Sequence, residues 1–170
     1  MGKIAKKIFD FIEIHLASFI FLVLIFSVVI QVFSRYVLDR PLPRLFELSI
    51  YSFVWVIYLG ASFAKRYRKH IRFDILYRKF PRKIQLIIDM FFDILTNVVF
   101  ILILIPSVEY TIWNYRIKSS ALRIPWTYLL MCFPIFLVLI IIHNSALIYD
   151  YIRELLGKKV PEKEEVLPWQ

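Results

Sequence analysis

The sequence predicts an all-α integral membrane protein with four transmembrane helices and cytoplasmic N- and C-termini. Three observations predict it. Hydrophobic residues make up 60% of the 170 and the mean hydropathy is +0.67, above the half-apolar composition of ordinary soluble domains. Four apolar segments are each long enough to cross a hydrocarbon core of about 30 Å, which takes about 20 helical residues. Lysine and arginine crowd alternate connections between those segments, the bias that orients membrane proteins.

The spans are expected at about 14–33, 45–64, 84–113 and 126–149, within one four-helix membrane domain over 1–156. Lys3, Lys6 and Lys7 precede the first apolar run as they would in a signal peptide. That run is too long for a signal core and lacks a small-x-small cleavage site, so it reads as an uncleaved span. Position 6 is Lys, which excludes a myristoylation motif at Met1-Gly2. The third segment would extend about 45 Å at 1.5 Å per residue, so it must tilt or protrude. Pro125 suits the first turn of the fourth helix. Pro106 and Pro134 fall inside spans and should kink them, freeing the carbonyls of Leu102 and Leu130. Residues 157–170 mix charges with prolines and read as a disordered cytoplasmic tail.

Charge fixes the orientation. Nine basic residues (Lys65, Arg66, Arg68, Lys69, Arg72, Arg78, Lys79, Arg82, Lys83) lie between the second and third spans. With the three N-terminal lysines and Arg153, Lys158, Lys159 and Lys163, that side holds 16 of the 22. The other side holds Arg35, Arg40, Arg44, Arg116, Lys118 and Arg123. The +9 net charge thus follows from the positive-inside rule and calls for no nucleic acid.

Acids inside spans are costly and mark sites or ion pairs. Asp89 and Asp93 lie one turn apart on one face of the third segment, with Glu109 toward its other end. The placement that avoids a central charge puts Asp89 and Glu109 at opposite interfaces and Asp93 at some depth. Asp93 is read as a partner of Lys83, Arg82 or a neighbouring helix; the sharper alternative is a proton or ion relay. Glu47, near the start of the second span, is expected to pair with Arg35 and tie the first two helices together. A role for either residue in docking another subunit is the alternative.

Other chemistry has little to build on. No nucleophile elbow, phosphate loop or metal motif is present, so no catalysis and no cofactor are expected. Cys132 is the single cysteine and can form no intrachain disulfide. His15 and His143 could hold one haem between two histidines, which makes a membrane haem or redox protein an alternative. Gln31, Thr96, Asn97 and Asn144 are too few to line a solute path. A small self-contained exporter is a further alternative, although its first span would carry no acid beyond Glu13. Small residues cluster only at Gly60-Ala61-Ser62, which points to a loose arrangement leaning on a larger membrane partner.

Ordered motifs then carry a resemblance. Arg35-Tyr36-Val37, the Pro41-Leu42-Pro43 turn, Glu47, Phe53-Val54-Trp55 with Leu59-Gly60-Ala61, His70-Ile71-Arg72-Phe73-Asp74-Ile75-Leu76, and Ala121-Leu122-Arg123-Ile124-Pro125-Trp126 follow one another over residues 9–156. Together they resemble the small membrane subunit, the DctQ type, of tripartite ATP-independent periplasmic (TRAP) transporters. One departure is that Phe46, and not a second acid, precedes Glu47.

The resemblance implies a multi-pass, non-catalytic subunit of the bacterial inner membrane. It would brace a large multi-helix subunit that imports organic acids, of the sialic acid or dicarboxylate type, and would help dock a periplasmic binding protein. Sodium coupling and the substrate site would belong to the large partner. Arg35, Arg40, Arg44, Glu47, Arg116, Lys118 and Arg123 would border the docking face. His70, Arg72, Phe73, Asp74 and Ile75 would form a cytoplasmic interfacial motif whose apolar members bury in lipid or partner.

Overall fold

The computed structural model describes residues 9–66 and 80–156, apart from the side chain of Arg82. A π-helical segment, Phe11–Leu16, leads into α1, Ala17–Tyr36. Helix α2 is Pro43–Arg66 and α3 is Arg82–Trp113, which ends in a 3₁₀ turn, Asn114–Arg116. A single turn, α4 (Thr127–Leu130), precedes α5, Cys132–Leu155. Four stretches are long and apolar enough to cross a membrane: Phe11–Tyr36, Pro43–Arg66, Lys83–Arg116 and Thr127–Leu155. Among the described residues, the one departure from helix and loop is an isolated bridge, Lys118 with Pro125.

Contacts divide the chain into two units, one of Met1–Phe63 with Pro106–Phe136 and the other of Ala64–Ile105 with Leu137–Gln170. In the first unit, α1 stops because the chain folds back on itself. Ser34 is buried, its carbonyl accepts from the Arg40 N–H at 3.0 Å, and its hydroxyl donates to the Arg40 carbonyl at 2.7 Å. Asp39 makes the reversal at φ 51°, which an Asp tolerates better than most residues. Helix α2 then opens at Pro43, where a missing N–H costs nothing, and the Leu42 carbonyl accepts from Leu45 and Phe46.

One face of α2 is spent inside this unit. Tyr51 is buried beside Ser119 and Glu47. Trp55 Nε1 donates to the Tyr128 carbonyl at 2.9 Å, and the Tyr58 ring lies 5.6 Å from Phe133 and 5.3 Å from Phe136. Ser62, fully buried, donates to the buried carboxylate of Glu13 at 2.6 Å. These positions recur at three or four residues, the spacing of one helix face. Trp55→Phe keeps an aromatic ring at this position and deletes one hydrogen bond, so it should cost about 1 kcal/mol of stability. An unchanged thermal midpoint of the detergent-solubilised chain would show that the bond contributes nothing.

In the second unit Leu86, Leu147 and Tyr151 form a small core with Met90 packed against it. Lys65 Nζ reaches Asp93 Oδ1 at 2.6 Å, joining the end of α2 to α3. Asn97 Nδ2 donates to Ser145 Oγ at 3.3 Å.

The prolines correct one expectation, that for Pro125. Pro134 lies, as expected, inside a span-length stretch, Thr127–Leu155, where a break at Met131 puts it in the first turn of α5. Proline has no N–H to give to the Leu130 carbonyl, so the i→i−4 ladder restarts there, with Ile135 N–H bonding to Met131. Pro125 precedes α4 instead of entering it: it pairs with Lys118 in the bridge, and its carbonyl accepts from Tyr128. Pro106, by contrast, lies within a continuous α3.

Candidate functional site

Residues 117–126 form a short hairpin between α3 and α4, built to leave few backbone donors unpaired. Ser119 N–H bonds to the Ile124 carbonyl and Trp126 N–H to the Ile117 carbonyl, both at 2.9 Å. Ser119 Oγ accepts from the Ile124 N–H at 3.3 Å. At the tip, Glu47 Oε2 accepts from the N–H groups of Ala121 at 3.0 Å and Leu122 at 2.6 Å. Two successive amides converging on one anion form a nest, and bonds to a charged acceptor contribute about 1.5–3 kcal/mol each. Arg123 follows in the left-handed region, φ 57°, a conformation that costs a non-glycine residue about 1–2 kcal/mol. The bonds at Leu122 and Ile124 hold it there.

The hairpin is fixed at its base as well. Thr127 Oγ1 donates to the Thr111 carbonyl and Asn114 Nδ2 to the Tyr110 carbonyl, both at 2.7 Å. Tyr36, Tyr110, Trp113, Tyr115, Trp126 and Tyr128 are exposed at or near the ends of α1, α3 and α4. Tyr and Trp collect where a membrane meets water, so this belt marks the end of the helices where polar loops begin.

The structure brings some expected residues together and separates others. Arg35 and Glu47 do not pair: Glu47 is satisfied by backbone N–H groups, while the Arg35 guanidinium lies 5.6 Å from the centre of the Tyr36 ring. Two amides held in a nest answer a carboxylate without the entropy of ordering a long side chain. Arg40, Arg44, Arg116, Lys118 and Arg123 are all exposed. Glu109 shares a shallow groove with Ile112, Trp113 and Arg116. Asp89 is half-buried, and Asp93 is buried with Lys65 as its partner. His70, Arg72, Phe73, Asp74 and Ile75 lie outside the described residues.

Two hydroxyls on α3 and α5 are satisfied within their own helices. Thr96 donates to the carbonyl of Phe92 and Ser145 to that of Ile141, one turn back, the usual way hydroxyls are satisfied in apolar helices. His15 is exposed with its ring 6.2 Å from Phe11, and His143 is buried in the second unit.

Residues 24–155 match the family of tripartite ATP-independent periplasmic transporters, DctQ component. That is well over half of the chain. It belongs to the DctQ family. No curated protein matches it. As a DctQ component the chain is a small membrane subunit of a TRAP transporter, a multi-pass protein whose family works in a tripartite assembly. The haem and self-contained exporter readings give way to this assignment.

Sequence reasoning missed the roles of Ser119, Ser34 and Lys65. Ser119 and Ser34 act through backbone groups, which carry no residue identity. Lys65 stood among nine basic residues, with nothing to single it out.

Proposed function

We propose that this DctQ component is a non-catalytic brace and docking subunit of a sodium-driven, binding-protein-dependent importer of organic acids of the sialic acid or dicarboxylate type. The observation that carries the reading is the division of α2 into two faces. Glu47, Tyr51, Trp55, Tyr58 and Ser62 face the chain's own loops and helices. Phe46, Ile50, Phe53 and Ile57 form an exposed apolar stripe on the other side, which ends at exposed Gly60. A methyl group built on Gly60 would meet nothing within 4 Å, so the glycine serves no packing inside the chain. A stripe that ends in an open glycine suits the close approach of a helix from the large membrane subunit.

The charge distribution, 16 basic residues against six, supports cytoplasmic termini in the inner membrane and an outward-facing hairpin. Arg40, Arg44, Arg116, Lys118 and Arg123 then border the face that receives the periplasmic binding protein. The 70–76 motif lies at the cytoplasmic interface. Sodium and substrate sites belong to the large subunit, and Asp93 serves structure through Lys65. A tagged chain should co-purify with a large membrane partner, and uptake in vesicles should require both together with the binding protein. Substrate uptake by the purified chain alone in liposomes would sink the reading.

A further inference from the structure

We propose that the 117–126 hairpin is a preorganised docking element that offers Arg123 to an acidic surface of the soluble binding protein, with Glu47 as its positioning residue. The proposal rests on the outward orientation and the docking role argued above.

Charge supplies the first argument. The Glu47 carboxylate is taken up by the Ala121 and Leu122 amides and, among the described residues, forms no ion pair with a cation. Arg116, Lys118 and Arg123 are exposed, and among the described residues none of them is ion-paired. Arg44 lies one turn before Glu47 on α2 and is exposed too. An unpaired basic surface steers an acidic partner and sets its association rate.

Rigidity supplies the second. A flexible basic loop would serve to attract any anion, but this one is bonded on both sides of Arg123. A strained backbone conformation persists only where its surroundings over-determine it, and such positions gather at binding sites. Holding the backbone that carries Arg123 in place before contact removes the loop's share of the ordering cost at the moment of docking. That favours a partner of fixed shape, a folded protein, over mobile lipid headgroups.

The test uses the chain assembled with its large membrane partner in nanodiscs of phosphatidylcholine, titrated with the purified binding protein. Arg123→Glu should weaken binding about tenfold and flatten its salt dependence. Glu47→Ala should weaken binding severalfold while keeping the wild-type salt dependence, because every cation remains. Glu47→Asp should restore part of the loss. In uptake assays both defects should fall on the half-saturating concentration of binding protein more than on the maximal rate. Ser119→Ala, which removes the Ile124 acceptor and the hydroxyl beside Tyr51 but leaves the Glu47 contacts, gives a milder lesion should Glu47→Ala fail to assemble, and should weaken binding in the same way. Unchanged affinity in Arg123→Glu overturns the proposal. If Arg40→Glu and Arg44→Glu weaken binding while Arg123→Glu does not, the docking role stands and the hairpin's part in it falls. If none of the three has an effect, both fall. An Arg123→Glu defect seen only with phosphatidylglycerol in the nanodisc assigns the hairpin to lipid and likewise overturns it.

Discussion

Lys65→Met should cost the folded chain about 3–5 kcal/mol, the usual penalty for leaving one member of a buried ion pair without its partner. Lys65 Nζ and Asp93 Oδ1 are 2.6 Å apart, with side chains 18% and 8% exposed. The carboxylate stands on α3, flanked by Ile94 and Phe92, where water offers little substitute. The reverse change should be milder. Asp93→Leu leaves an ammonium on a four-carbon stem near the end of α2, and such a side chain can snorkel toward water. The double variant, Lys65→Met with Asp93→Leu, removes both desolvation costs and should recover most of the stability. Thermal or denaturant unfolding of the four proteins in one detergent measures the cycle. Equal stability of all four would mean that the contact adds nothing, and a double variant worse than either single would rule out compensation. The experiment also separates structure from relay chemistry. A pair that only joins α2 to α3 can be replaced by apolar residues without loss of uptake, whereas a relay cannot.

The same pair shows where the sequence was legible and where it was not. Four spans could be read because a soluble fold seldom needs apolar runs of membrane length. Their ends could not be placed from hydropathy alone. The first span-length stretch takes in Phe11, Ile12 and Glu13 ahead of Ile14, because Glu13 is buried against Ser62 and an acid with such a partner need not stay outside. The fourth is interrupted at Met131, because Pro134 counts as a breaker or as a first-turn residue depending on a register that hydropathy does not reveal. Asp93 was expected to find a cation, but its partner lies 28 residues away among many equivalent ones. Glu47 was harder still. Three arginines stand close to it in sequence, yet the carboxylate takes backbone amides 74 and 75 residues on. Any residue but proline supplies an N–H, so nothing in the residue types at 121 and 122 announces the contact. The basic character of the loops was plain from composition. The rigid geometry of one of them was not.

Gly60→Leu should leave the isolated chain folded and weaken its assembly with the large membrane subunit by tenfold or more. Glycine costs a helix interior about 1 kcal/mol relative to alanine, and inside this chain nothing offsets that cost because a Cβ there meets open space. Gly60→Ala should therefore be neutral or slightly stabilising for the chain alone. Leucine has good helix propensity and is compatible with lipid, so the larger variant should also fold. The outcome differs only if a partner backbone comes close. Phe46, Ile50, Phe53, Ile57 and Gly60 alternate at spacings of four and three, the seam of a helix pair, and a glycine in such a seam sets the distance of approach. Leucine inserted there forces the helices apart, whereas a substitution at exposed Leu102 on α3, Leu102→Ala, should be silent. Pull-down of the large subunit by tagged Gly60→Leu and Leu102→Ala chains, with circular dichroism of each alone, reads both halves of the argument. Full recovery of the partner with Gly60→Leu would show that the α2 stripe faces lipid, and the bracing contact would then have to be sought on another helix.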